Sequence, residues 1–232
     1  MRHAVVAGAT GLVGRELVRQ LDLRPEVEFT ALVRRPGSLR SLSGRVREVE
    51  FDYREPGSYA RLGTEIPCDL LFCALGTTIK KAGTPPAFRE VDLEYPRALI
   101  RQLATLRPPP VFALVSSIGA DQPRGLYLST KAALEHSLVD SGLPHVIARP
   151  SLLLGERDEF RVAERLSGIL ARPFLGAAKL LTPHWDLVWR YAPIEASQVA
   201  KSLIWATLDC PPGSSGNRIL SGISLHHPIT AL

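Results

Sequence analysis

Tyr127 and Lys131 stand four residues apart in a segment of helical character, so both project from one face of a helix. A free phenol ionises near pH ~10 and is a poor base at neutral pH, but a neighbouring ammonium favours the phenolate. A tyrosine so placed is poised to move a proton to or from a substrate oxygen. Ser117, which closes a short apolar run just upstream, can hydrogen-bond that same oxygen. Tyr and Lys at this spacing also occur in helices by chance. The pair gains weight from the Ser116-Ser117 strand end and from a glycine turn that opens the chain.

That turn is Val5-Val6-Ala7-Gly8-Ala9-Thr10-Gly11-Leu12-Val13-Gly14. A short apolar run enters it, and an amphipathic segment carrying Leu17, Val18 and Leu21 leaves it. Strand, glycine turn and helix in that order aim backbone N–H groups and the positive end of a helix at one spot. Gly8 turns where a Cβ would clash, Gly11 admits a diphosphate close to the chain, and Gly14 lets the helix lie tight on the strand. The expected guest is a dinucleotide; an ordinary β–α turn is the alternative.

Arg34 and Arg35 follow the second strand, where an NAD site would place an acidic residue against the ribose hydroxyls. Two guanidiniums suit a 2′-phosphate instead, which favours NADP. Asp52, after the third strand, is placed either to accept from an adenine amino group or to cap its own turn.

These residues need a scaffold, and strand and helix patterns alternate through the chain to supply one. Strands are expected at residues 27–33, 46–51, 69–75, 111–115 and 146–148, with a last edge strand at 218–223. Helices are expected at 58–62, from Ala87, from an N-cap at Asp92 to about Leu106, at 126–141 and at 196–208. With Asp92 as cap, Pro96 falls in a first turn whose N–H groups have no intrahelical partner anyway. The run through Leu70, Leu71, Phe72 and Cys73 suits a central parallel strand covered on both faces. The alternation predicts a doubly wound parallel α/β sheet in one domain over residues 1–232. It breaks from Gly155 to about Ala192, a stretch rich in Arg and aromatics. This small C-terminal stretch, 155–192, is read as a substrate-side lid; a helical hairpin covering the sheet edge is the other reading.

A chain of 232 residues suffices for one full core, and 45% hydrophobic with 22% charged residues is a globular balance. The net charge of +5 is spread over scattered basic residues, without the stripe that nucleic acid requires. Neither the histidines nor Cys68, Cys73 and Cys210 have metal-ligand spacing, and the odd cysteine count suits a reducing compartment. A first strand beginning almost at Met1, with no apolar run approaching the ~20 residues of a membrane span, leads to the expectation of a cytoplasmic protein. A small-molecule substrate is expected, with no nucleic-acid or membrane partner; a homodimer or a protein partner stays open.

Together, Gly8-x-x-Gly11-x-x-Gly14, Ser117 and Tyr127-x-x-x-Lys131 resemble the short-chain dehydrogenase/reductase superfamily. Finer detail resembles its atypical, HIV Tat-interacting-protein-like branch: Cys73-Ala74-Leu75-Gly76-Thr77-Thr78, Lys81-Ala82-Gly83, Phe88-x-x-Val91-Asp92, Ser116-Ser117-x-Gly119-Ala120-Asp121, Leu126-Tyr127 and Arg149-Pro150. The resemblance implies a Rossmann fold binding NADPH. Thr10, Gly11, Leu12 and Val13 would wrap the diphosphate, Arg34 and Arg35 the 2′-phosphate, and Leu75 and Gly76 the adenosine side. Thr77, Ser116 and Pro150 are placed along the same cofactor, and Leu153 and Arg161 would close over it. Tyr127 would exchange the proton, Lys131 would bind the nicotinamide ribose and tune Tyr127, and Ser117 would face the substrate. Leu12 and Val13 are apolar, so any diphosphate contact there runs through backbone. The implied activity is NADP-dependent hydride transfer at a carbonyl or alcohol carbon. An NADPH-sensing regulatory protein is the rival, and Arg34-Arg35 disfavours an epimerase or dehydratase using bound NAD.

Overall fold

A computed structural model describes residues 1–154, 189–209 and 217–226. Its centre is a seven-stranded sheet, all parallel, in the order β3-β2-β1-β4-β5-β6-β9. These strands are β1 (Arg2–Ala7), β2 (Val27–Val33), β3 (Arg47–Glu50), β4 (Leu70–Cys73), β5 (Val111–Val115), β6 (His145–Ala148) and β9 (Arg218–Leu220). The order runs outward in both directions from β1 and β4, so the crevice between their carboxyl ends is the topological switch point of a doubly wound sheet.

Alternation along β1 shows why the sheet is covered twice. Ala4 and Val6 enter one apolar cluster, with Val13, Leu17, Val18 and Leu21 of α1 (Leu12–Asp22) and Val199 and Leu203 of α7 (Ala196–Ile204). Val5 and Ala7 enter the opposite cluster, with Leu99 and Leu103 of α5 (Tyr95–Leu103) and Leu134 and Leu138 of α6 (Gly125–Asp140). Each fully buried Leu adds roughly 1.5–3 kcal/mol by leaving water.

Between β4 and β5 the chain forms α3 (Ile79–Ala82) and α4 (Pro85–Arg89), then one π turn (Glu90–Glu94) that runs on into α5. Here the expectation is corrected. Asp92 caps nothing; it lies buried inside the π turn. Pro96 has no N–H to give the carbonyl four residues back, which is that of Asp92. The chain takes up a longer spacing instead, with the Tyr95 amide donating to the Glu90 carbonyl.

Two further corrections are local. The short helix expected at 58–62 is α2 (Pro56–Ala60), started by a proline in its first turn. The edge strand β9 stops at Leu220, and α8 (Ile223–His226) follows it. Beyond β6, a two-residue strand β7 (Leu153–Leu154) pairs in parallel with β8 (Ile194–Glu195). Ser151 Oγ donates to the Ala192 carbonyl beside it. Most of the expected substrate-side stretch, residues 155–188, lies outside the described residues. Among the described residues no helix is long and apolar enough to cross a membrane, and no group of His, Cys, Asp and Glu could hold a metal ion.

Candidate functional site

The glycine turn sits at the switch point, and its glycines answer to measurable crowding. Gly8 has φ +82°, and a Cβ on it would lie 2.5 Å from the backbone carbon and oxygen of Ala74 at the end of β4. On Gly14 a Cβ would come within 2.1 Å of the Gly8 carbonyl oxygen. That carbonyl accepts from the Gly11 amide at 2.9 Å, which closes the turn. Gly11 is exposed and precedes α1 without a side-chain cap, and the first turn of α1 carries no acidic residue. An eleven-residue helix therefore presents the positive end of its dipole at an open glycine. Thr10 is exposed, Val13 is buried in the core, and Leu12 is half-buried against it. The donor set and the open glycine fit a diphosphate.

Arg34 and Arg35 are exposed where β2 ends. Arg34 lies close enough for its charge to act on the Tyr53 hydroxyl, whose own proton is held tightly, first of all by burial. Tyr53 stacks on Tyr95 with ring centres 5.4 Å apart and packs on Phe51 at 4.8 Å. Its hydroxyl lies near the Gly8 amide without reaching hydrogen-bond geometry. This aromatic floor under the switch point escaped the sequence reading; the spacing of Phe51, Tyr53 and Tyr59 was its signal. Asp52 turns out to cap its own turn, its carboxylate accepting from the Arg54 amide at 2.9 Å.

Tyr127 projects from the first turn of α6 and keeps 40% of its surface exposed, while Lys131 is 4% exposed beneath it. The Lys131 Nζ lies 5.9 Å from the centre of the Tyr127 ring, and the Phe88 ring centre lies 6.0 Å from it. Ser117 is half-buried on the loop after β5 and donates weakly to the Ile118 carbonyl at 3.3 Å. That loop packs on α6 through Gly119, where a Cβ would meet Leu128 at 3.1 Å. The end of β5 and the turn carrying Tyr127 are thus neighbours.

Lys131 does not stand open to a ribose. Its ammonium pairs with Asp92 at 3.0 Å, and a Cβ on Gly76 would lie 3.8 Å from Nζ. Burial pushes the Lys131 ammonium down, but Asp92, with smaller contributions from Tyr127 and Cys73, outweighs it and holds the group above the ordinary lysine value. Asp92 was the residue the sequence reading misplaced. Gly76 is exposed and Leu75 half-buried at the lip, whereas the Thr77 amide is engaged by Asp92 Oδ2 at 2.8 Å.

Ser116 and Pro150 leave the expected cofactor set. The Ser116 hydroxyl is buried and donates to Glu135, which also receives Arg149 Nη2 at 2.6 Å. Pro150 is buried, and its carbonyl accepts from the Ile118 amide at 2.9 Å. Both serve to tie β5, α6 and the end of β6 together. Leu153 is half-buried in β7, and Arg161 lies outside the described residues.

Comparison with known proteins matches this geometry. A family model described as NAD(P)H-binding matches residues 8–168. Protein FMP52, mitochondrial, of Candida albicans is 34% identical over 159 residues, covering 66% of this chain and 68% of that one. Its Coccidioides immitis namesake is 30% identical over 238 residues, covering 96% and 94%. Protein HTATIP2 of Rattus norvegicus is 30% identical over 182 residues, covering 76% and 71%. Among solved structures, a short-chain dehydrogenase/reductase family oxidoreductase from Burkholderia thailandensis superposes with a TM-score of 0.67 at 16% identity, covering 97% of this chain and 92% of that one. UDP-glucuronic acid 4-epimerase from Bacillus cereus reaches 0.68 at 14%, covering 95% and 77%. At such identity these two speak for the Rossmann-type fold alone. The expected cytoplasmic location is overturned by the FMP52 relatives, whose names are mitochondrial. With a glycine turn at the switch point, a family model over residues 8–168 and a relative covering 96% of its length, the chain belongs to the NAD(P)H-binding family, with FMP52 and HTATIP2 among its relatives.

Proposed function

We propose that the protein is an NADP-dependent oxidoreductase acting on a small carbonyl or alcohol substrate. The observation that carries this reading is the pairing of an accessible phenol, Tyr127, with a buried, charged Lys131 at the mouth of the switch-point crevice. A tyrosine kept only for packing would hide its ring; this one stays 40% exposed.

In this reading the open Gly11 lets the diphosphate approach, Gly8 shapes the turn, and the backbone N–H groups at the N-terminus of α1 hold it. Arg34 and Arg35 hold the 2′-phosphate, and no carboxylate at the end of β2 competes for them. Leu75 and Gly76 line the adenosine side. When bound, the nicotinamide supplies the hydride acceptor or donor. Tyr127 exchanges the proton at the substrate oxygen, and Ser117 orients that oxygen. Lys131 keeps a positive charge 5.9 Å from the centre of the phenol ring. Phe88 shields one side of the Tyr127 ring from water.

Tyr127→Phe tests the assignment. NADPH affinity, read by fluorescence titration, should stay within about threefold, and turnover across a panel of carbonyl compounds should fall by roughly 100-fold or more. Full turnover in that variant removes the mechanism. Tight NADPH binding by the parent with no turnover of any carbonyl transfers the reading to an NADPH-responsive regulator.

A further inference from the structure

The buried Asp92 carboxylate is an expensive feature. It is 1% exposed and sits in a π turn, where the helical ladder is interrupted. One oxygen, Oδ2, accepts the Thr77 amide at 2.8 Å. The other, Oδ1, faces Lys131 Nζ at 3.0 Å, yet at angles that leave it without a hydrogen bond among the described residues. Buried ion pairs seldom add net stability over apolar side chains of equal bulk, because both charges lose their water. A buried pair that adds little stability points to a task.

Its connections show what that task is. Thr77 belongs to the loop leaving β4, whose Gly76 and Leu75 form the lip of the crevice. Lys131 lies beneath Tyr127 on α6. Asp92 is on neither element, and it reaches both. The titratable and charged groups that act on Lys131 are Asp92 from the π turn, Tyr127 from its own helix and the Cys73 thiol from β4. Glu135, one turn further along α6, is taken up by Arg149 and Ser116. Asp92 is therefore the carboxylate that the Lys131 ammonium depends on.

We infer that Asp92 is a positioning residue that binds the nucleotide-lining turn Gly76-Thr77 to Lys131, so that one carboxylate sets both cofactor seating and the charge beneath Tyr127. This rests on the oxidoreductase reading for its purpose, but not for its geometry. The side chain touches neither substrate nor the reacting atoms; it acts through its two partners.

Two substitutions separate the two links. Asp92→Asn keeps an amide oxygen for the Thr77 N–H and removes the counterion. Asp92→Ala removes both. Lys131 is followed by NMR of isotopically labelled lysine through a pH titration, with Lys131→Met assigning the signal, and NADPH affinity is followed by fluorescence. In Asp92→Asn the Lys131 signal should titrate lower by about one pH unit or more, with NADPH affinity within about threefold of the parent. In Asp92→Ala the same shift should come with NADPH binding weaker by about tenfold. A packing role alone would move neither the lysine titration in Asp92→Asn nor separate the two variants. Should either variant fail to fold, Asp92→Leu with Lys131→Met replaces both charges by apolar bulk; it should fold and bind NADPH about tenfold more weakly. An unmoved Lys131 titration in Asp92→Asn, or parent-like NADPH affinity in Asp92→Ala or in the double variant, overturns the inference. Turnover surviving in Tyr127→Phe while the Asp92 series behaves as stated would sink the oxidoreductase reading and leave this one standing.

Discussion

Replacing Gly8 by alanine sets two costs against the fold that can be measured apart. The first is the left-handed backbone, φ +82°, which costs an L-residue about 1–2 kcal/mol. The second is overlap, since the new methyl would lie 2.5 Å from two backbone atoms of Ala74 and 2.7 Å from the Leu75 nitrogen. Backbone just past the end of a central strand cannot swing aside as a side chain can, and such overpacking costs roughly 1–3 kcal/mol more. The sum is about 2–5 kcal/mol. For a chain of this size each kcal/mol moves Tm by about 2–4 °C, so a fall of roughly 4–20 °C is expected. Gly83 supplies the control: φ +80° with nothing within 4 Å of the added methyl. Gly83→Ala should lose only the backbone part, about 1 kcal/mol after the gain from a stiffer unfolded chain. Gly14→Ala reverses a sign. Helix propensity favours alanine by about 1 kcal/mol, but contact at 2.1 Å with the Gly8 oxygen should make the variant less stable. Thermal unfolding of all three without cofactor is the assay. Gly8→Ala no worse than Gly83→Ala, or a stabilising Gly14→Ala, would refute the crowding argument.

Other expectations follow from the same geometry. Arg34→Ala with Arg35→Ala should weaken NADPH by about tenfold or more and leave NADH nearly unchanged, read by parallel fluorescence titrations; equal losses for both would show that these guanidiniums do not read the 2′-phosphate. Glu135→Ala leaves Arg149 largely buried without its counterion and should cost about 3 kcal/mol in a urea titration, and a loss under 1 kcal/mol would return Ser116 and its neighbours to the pool of ligand-binding groups. The Cys73 thiol is pushed up to about 11 by burial, so its contribution to stability is whole below the ordinary thiol range near ~8.5 and drains away as pH climbs through about 11. Urea midpoints measured from neutral to strongly alkaline pH should fall across that window, and Cys73→Ala should flatten the fall; an identical slope in the variant would place the alkaline sensitivity elsewhere.

Local patterning determined much of this protein by itself. Apolar runs and amphipathic segments alternate in the sequence because each strand and helix must bury one side, and that periodicity gave β1 to β6 within a residue or two. The glycine spacing and the Tyr127–Lys131 pair were equally legible, since one is set by a single turn and the other by a single helix. What only tertiary structure decided were partnerships between distant residues. Asp92 read as a helix cap because its neighbours in sequence allow one; Thr77 and Lys131, which engage it, arrive from other elements. Ser116 and Ser117 are adjacent and chemically alike, and the pleat turns one toward Glu135 and the other away. A side chain's task depends on which charges share its low-dielectric surroundings, and those neighbours converge only once the sheet has assembled.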